Sequence, residues 1–221
     1  MRKYFLLFIV VSICSNVFGQ ASLKHTDILK KYYEAKEHIA YERYAIAYPI
    51  IQDFLKNYEN NVQKIDPSIV SESYFYKAQC AKETKAPESQ TLLIDYIEDY
   101  PGTTHVNTAR FLLGEIAYDI PNYQNAIEYF KEVNEKELSK KQALDFNYKY
   151  AFALFATKKF KDARSRFNTI ATSDSKYKED ALYYSGLSSY YLGDYNNAYK
   201  TFQKIEKAKK YDKMANLLKN Q

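Results

Sequence analysis

The residues of this chain that could do chemistry are few, and their spacing does not suit them to it. His25, His38 and His105 could hold zinc or move protons, but no two share a helical turn and no H-E-x-x-H occurs. Gly102, Gly114, Gly186 and Gly193 include no pair with the spacing of a phosphate-cradling loop, and there is no G-x-S-x-G nucleophile turn. The 27 Asp and Glu residues lie among lysines, as in Glu34, Lys36 and Glu37 or Lys178, Glu179 and Asp180. That pattern reads as solvated helix faces rather than an acid-base pair. No enzymatic activity, metal or cofactor is expected.

The abundant functional chemistry is aromatic, with 24 Tyr and 13 Phe against no Trp. The elements that would position these rings follow a repeated spacing. Gly114, Tyr123, Ala126, Phe130 and Val133 are matched by Ala151, Phe160, Ala163, Phe167 and Ile170, then by Gly186, Tyr195, Ala198, Phe202 and Ile205. Small residues allow two antiparallel helices to approach, and the large ones fill the seam between them. A two-helix unit cannot bury its faces alone, so copies must stack. Two weaker copies lie upstream, on Ala35, Tyr44, Ala47 and Ile51, and on Ala78, Pro87, Gln90 and Ile94. Helix pairs are expected at 26-41 and 44-58, 68-84 and 87-100, 104-119 and 123-134, 139-157 and 160-172, and 176-192 and 195-208. Asp66-Pro67-Ser68 reads as a helix start, and Thr103 or Thr104 as a cap after the Tyr100-Pro101-Gly102 turn.

These residues resemble the tetratricopeptide repeat (TPR) family, most clearly from Gly186 to Phe202, where Gly193-Asp194-Tyr195 makes the turn. The resemblance implies an all-α, right-handed superhelical solenoid of antiparallel helix pairs. Its repeats span about 26-58, 68-100, 104-134, 139-172 and 176-208, and residues 210-219 serve as a capping helix. That stretch could instead begin a sixth repeat. The resemblance also implies a concave groove lined by the first helix of each pair. Three residues before each small residue the groove would carry Tyr32, Phe75, Phe111, Tyr148 and Tyr183, joined later by Tyr118, Phe152, Phe155, Leu187, Tyr190 and Tyr191. Toward the other end it would be polar, with Lys36, Glu72, Gln79, Lys82 and Glu83. Such a ladder suits a peptide or protein partner with spaced apolar anchors. The competing reading is that abundant aromatics fall there as packing.

Residues 1-19 read as a signal peptide, with Arg2 and Lys3, an apolar run from Tyr4 to Ile13, and Val17-Phe18-Gly19 at the cleavage site. The solenoid then occupies 20-221. Cys14 permits a lipoprotein reading, against which Ile13 stands where a small residue is usual. Cys80 would then be the only thiol left after cleavage at Gly19, and it reads as a small buried hydrophobe. The phrase Asp99-Tyr100-Pro101-Gly102-Thr103-Thr104 resembles the link between repeats in BamD-like assembly lipoproteins and TolA-binding coordinators. That resemblance implies the periplasm or the periplasmic face of the outer membrane, and a scaffold role with peripheral envelope association. Alternatives are a subunit of an outer-membrane or secretion assembly, or a cell-wall glycan-binding module. The formal charge of +5 gathers in residues 200-221, where seven Lys face Glu206 and Asp212. A basic end on a near-neutral body is not the spread of a nucleic-acid binder. Oligomeric state is left open.

Overall fold

The computed structural model describes residues 28-60 and 65-205. The expected leader, Cys14 and the cap at 210-219 lie outside the described residues. Those residues form helices with no strand: α1 (28-40), α2 (Tyr44–Asn60), α3 (Pro67–Glu83), α4 (Ser89–Asp99), α5 (Val106–Asp119), α6 (Tyr123–Lys131), α7 (Lys140–Ala156), α8 (Phe160–Ala171), α9 (Lys178–Tyr191) and α10 (Tyr195–Phe202). A single 3-10 turn at Glu135–Glu137 joins α6 to α7. The chain divides into two compact units, Met1–His105 and Val106–Gln221.

Each helix pair closes through the same turn. A backbone N–H three residues past the helix reaches back to a carbonyl in its last turn: Arg43 to His38, Ala86 to Ala81, Asn122 to Ala117, Lys159 to Leu154 and Asp194 to Ser189, all at 2.8–2.9 Å. That bond satisfies a carbonyl the helix leaves orphaned, and it requires a left-handed residue just before the donor. Gly193 supplies one at φ 76°, whereas Glu42, Lys85 and Lys158 adopt φ 55°, 59° and 61° as non-glycines. The turn therefore recurs where its glycine signature is missing.

Second helices start on caps where the sequence provides them. Asn122 accepts from Asn125 N–H and Asp194 from Asn197 N–H, each at 3.3 Å. Among first helices, Asp66 caps α3 with Pro67 behind it, and Ser139 and Gln142 form a reciprocal capping box on α7. Thr103, expected as a cap, instead donates to the Tyr100 carbonyl at 2.9 Å and lies 2.6 Å from the Tyr96 hydroxyl. It holds the connector rather than the helix.

Between the helices of each pair the small residues work as expected. A Cβ on Gly114 would strike the Phe130 ring, and one on Gly186 would meet the Phe202 ring at 2.6 Å. Ala35, Ala47, Ile51 and Phe54 are fully buried in the first pair, as are Ala126, Ala163, Phe167 and Ala198 later. The second pair departs by one residue. Gln90 is exposed, and the buried seam of α4 is Ser89, Leu93 and Tyr96. One residue fewer after the turn, at Pro87-Glu88, moves the seam back one place. Cys80 is fully buried in α3, and burial pushes its thiol up to about 12. It behaves as a small hydrophobe.

Candidate interaction surface

In the Met1–His105 unit the polar side chains of α1 and α3 converge on one carboxylate. Glu72 accepts a hydrogen bond from the Tyr76 hydroxyl at 2.7 Å, from the Tyr32 hydroxyl, and from Lys36 Nζ at 3.1 Å. His105 Nε2 stands 3.7 Å away, its ring stacked on Phe75 at 4.3 Å and 7°. Burial works to raise the Glu72 pKa, but the donors from Tyr32, Tyr76 and Lys36 outweigh it and hold the group below the usual carboxylate range. Burial lowers His105, against the opposing pull of Glu72. An ionised carboxylate with several donors is a poor proton acceptor, so the cluster is a polar tie between helices rather than an acid-base site. The polar end of the expected groove is engaged with itself: Lys36 bonds Glu72, and Lys82 bonds Glu83 at 3.0 Å.

The structure divides the expected aromatic row. Tyr32, Phe75 and Phe111 are only 3%, 3% and 2% exposed, and Leu187 is buried with Ala198, Phe202 and Ile205. These four are core, and a ring without an exposed face offers a partner nothing to stack on. The reason is the second helix of the same pair: Phe54 packs on Tyr32, Tyr96 on Phe75 and Phe130 on Phe111. Tyr148, Tyr183, Tyr118, Phe152, Phe155 and Tyr190 are half-buried, and Tyr191 is exposed. All seven belong to the Val106–Gln221 unit.

There the rings join into a continuous surface. Tyr118 and Tyr123 meet edge to face at 5.7 Å, Phe155 and Phe160 at 5.5 Å, and Tyr190 and Tyr195 pack at 5.4 Å. The same contact is thus made in three successive pairs, between the end of a first helix and the start of its second. Adjacent pairs are bridged by Tyr123 on Phe152 at 5.6 Å, Phe152 on Tyr184 at 5.1 Å, and Phe160 stacked on Tyr191 at 4.7 Å and 14°. Tyr148 stacks on Tyr177 at 4.1 Å and 5°. Burial pushes the Tyr118 hydroxyl up to about 12, so it stays a neutral donor at physiological pH. Sequence reasoning left Tyr123, Phe160, Tyr195, Tyr177 and Tyr184 out of the surface. The first three are the repeated aromatic nine residues after each small one, which the spacing alone marks as seam packing.

Two of the lysines beside this surface are paired. Lys149 bonds Glu115 and lies 5.6 Å from the Tyr118 ring centre, while Asp145 accepts from the Tyr177 hydroxyl at 2.6 Å and pairs with Lys176 at 2.9 Å. A polar cleft of about 540 Å³ between α8, α9 and α10 includes Arg164, Asn168 and Ser185. Arg164 is held by Asp194 at 3.0 Å and Ser185 donates to Asn168 at 2.6 Å, so these groups are already occupied. Among the described residues no group of three or more His, Cys, Asp and Glu could hold a metal ion.

Residues 180-210 match the family model described as tetratricopeptide repeat. No curated protein sequence matches the chain. Among solved structures, MamA AMB-1 is similar at 16% identity and TM-score 0.63, over 83% of this chain and 92% of that one. YrrB, described as a TPR protein with an unusual peptide-binding site, is similar at 14% identity and TM-score 0.61, over 86% and 91%. A putative kinesin light chain of Podosopora anserina with nearly identical TPR-like repeats gives 12% identity and TM-score 0.56, over 83% and 96%. The chain carries a tetratricopeptide repeat at 180-210, and its fold is the all-α fold of TPR solenoids.

Proposed function

We propose that this chain is an exported, non-enzymatic TPR scaffold that holds a protein or peptide partner against the aromatic surface of its Val106–Gln221 unit. The observation that carries this reading is the bridged row from Tyr118 and Tyr123 through Phe152 and Phe155 to Tyr190 and Tyr191. Half-exposed rings bound at both edges have little rotamer freedom left to lose, which makes them efficient anchors for an apolar side chain. The tyrosine hydroxyls add donors for a passing backbone. The peptide-binding site in the description of YrrB supports the same use of this fold.

The leader at residues 1-19 and the Asp99 to Thr104 phrase support placement in the periplasm or on the periplasmic face of the outer membrane, in the manner of the BamD-like and TolA-binding scaffolds. The test is affinity capture of the tagged protein from its envelope fraction beside a Tyr118→Ala, Tyr190→Ala variant whose helical circular dichroism is retained. A partner captured by the parent and lost by the variant supports the reading. Equal capture by both rejects the aromatic surface, and binding to purified peptidoglycan alone would favour the glycan module.

A further inference from the structure

We propose that the edge of the Val106–Gln221 unit formed by the turns inside its helix pairs rests on an anionic phospholipid surface. This goes beyond the partner-binding reading and does not depend on it. The unit has two kinds of turn, those within pairs (α5 to α6, α7 to α8, α9 to α10) and those between pairs (α6 to α7, α8 to α9). Among the described residues its exposed large apolar side chains are Ile120 at 63%, Tyr191 at 56%, Leu192 at 43% and Tyr195 at 45%, and all four lie at turns within pairs. The turns between pairs are polar, with Asn134 to Glu137 at one and Thr172 to Ser175 at the other. Among the described residues none of them exposes a large apolar side chain.

The turns themselves do not need these side chains. They are closed by backbone hydrogen bonds, such as Asp194 N–H to the Ser189 carbonyl at 2.9 Å, and Gly193 meets nothing within 4 Å of a would-be Cβ. Apolar residues clustered on one edge mark a contact surface. Two of them are joined, since Tyr190 links Tyr191 to Tyr195 and Tyr191 also stacks on Phe160 of the neighbouring pair.

The chemistry of the patch favours a lipid surface over an inserted peptide. The exposed side chains stand at the ends of helices, whereas Tyr118, Phe152, Phe155 and Tyr190 are half-buried. Tyrosine suits the boundary between headgroup and acyl chain, and lysine can run its stem along the apolar surface while its ammonium reaches phosphate. The middle turn supplies Lys158, Lys159 and Lys161, none ion-paired to a described residue, followed by Asp162. Of the neighbouring acidic groups, Asp194 is paired with Arg164 at 3.0 Å and Glu128, whose charge reaches Lys159, is paired with Lys131 at 3.0 Å, while Asp119 and Asp162 remain. In the Met1–His105 unit the turn between α1 and α2 also exposes Tyr41 at 63% with Arg43 4.9 Å from its ring centre, whereas Tyr33 at 58% and Ile46 at 50% are exposed within α1 and α2.

The test places an environment-sensitive dye on the full chain carrying Cys14→Ser. Cys80 is buried with its thiol pushed up, so it does not compete for label. One sample carries the dye at Leu192→Cys, the other at Asp174→Cys in the turn between α8 and α9. On mixed phosphatidylcholine–phosphatidylglycerol vesicles the dye at 192 should shift to the blue and brighten by roughly twofold or more, as in an apolar interface, while the dye at 174 stays unchanged. Adding Lys158→Glu and Lys161→Glu should weaken vesicle affinity by about tenfold or more. No response at 192, an equal response at both positions, or indifference to the charge reversal would overturn the proposal. A protein partner on this edge would give the first of these outcomes.

Discussion

The two units use one helix-pair scaffold to different ends. In the Met1–His105 unit the positions one and four residues after the small residue are Lys36, Ile39, Gln79 and Lys82, and α1 and α3 are tied through Glu72. In the Val106–Gln221 unit the same positions are Glu115, Tyr118, Phe152, Phe155, Leu187 and Tyr190, and the helices are bridged by rings. Packing across the pair seam is alike in both, since Phe54 and Phe167 are equally buried. What differs is the face left over after the seam is filled, and that face is where recognition can be written without disturbing the fold.

The largest effect should be shared by both units. Phe54→Ala and Phe167→Ala should each cost about 3–5 kcal/mol in chemical denaturation, because each empties a fully enclosed site. If one were tolerated within about 1 kcal/mol while the other was not, the seams would not be equivalent. Next in size are the small residues. Ala198→Leu should destabilise by about 1–3 kcal/mol through overpacking. Ser89→Leu should behave alike in α4, whereas Gln90→Leu should stay within about 0.5 kcal/mol on an exposed face. Reversal of that last pair would restore the sequence register.

A smaller effect tests the turns. Gly193→Ala should cost about 1 kcal/mol, since φ 76° strains any side chain although no atom obstructs it. Lys158→Gly should be nearly neutral, because relief of strain is offset by a freer unfolded chain. Thermal unfolding of the two variants checks both.

The smallest effect separates the units by pH. Burial holds His105 below its ordinary pKa, so in the native state it binds fewer protons than in the unfolded chain. Stability of the Met1–His105 unit should therefore fall as the pH drops from about 6.5 toward the lower folded value. A further loss should follow when the pH falls through the ordinary carboxylate range toward the depressed value of Glu72. Residues 106-221 contain no histidine, so α9 should lack the first loss. Amide exchange of α3 against α9 at several pH values reads the contrast, and His105→Phe should keep the Phe75 stack while removing the first loss.

Much of the fold was legible because its signals are local. Asp66-Pro67 and the small-to-large spacing from Gly114 to Phe130 each act within one helix pair. The family model matches 180-210, the pair whose turn carries Gly193, whereas the turns at Lys85 and Lys158 reach the same conformation without that marker. The surface was less legible. Position relative to the small residue places Phe111 and Tyr148 together, yet the first is core against Phe130 and Phe146 and the second half-buried against Tyr177.

The sequence by itself determined that helices pair, where each pair turns and which small residues let it close, because helical period, capping and left-handed turns are decided by neighbours within a few residues. Only the tertiary structure decided that Ser89 rather than Gln90 fills the α4 seam, that Glu72 gathers donors from α1 and α3 with His105 beside it, and which rings remain for a partner. Those outcomes depend on residues brought together from separate helices, where a one-residue offset changes the face a side chain presents.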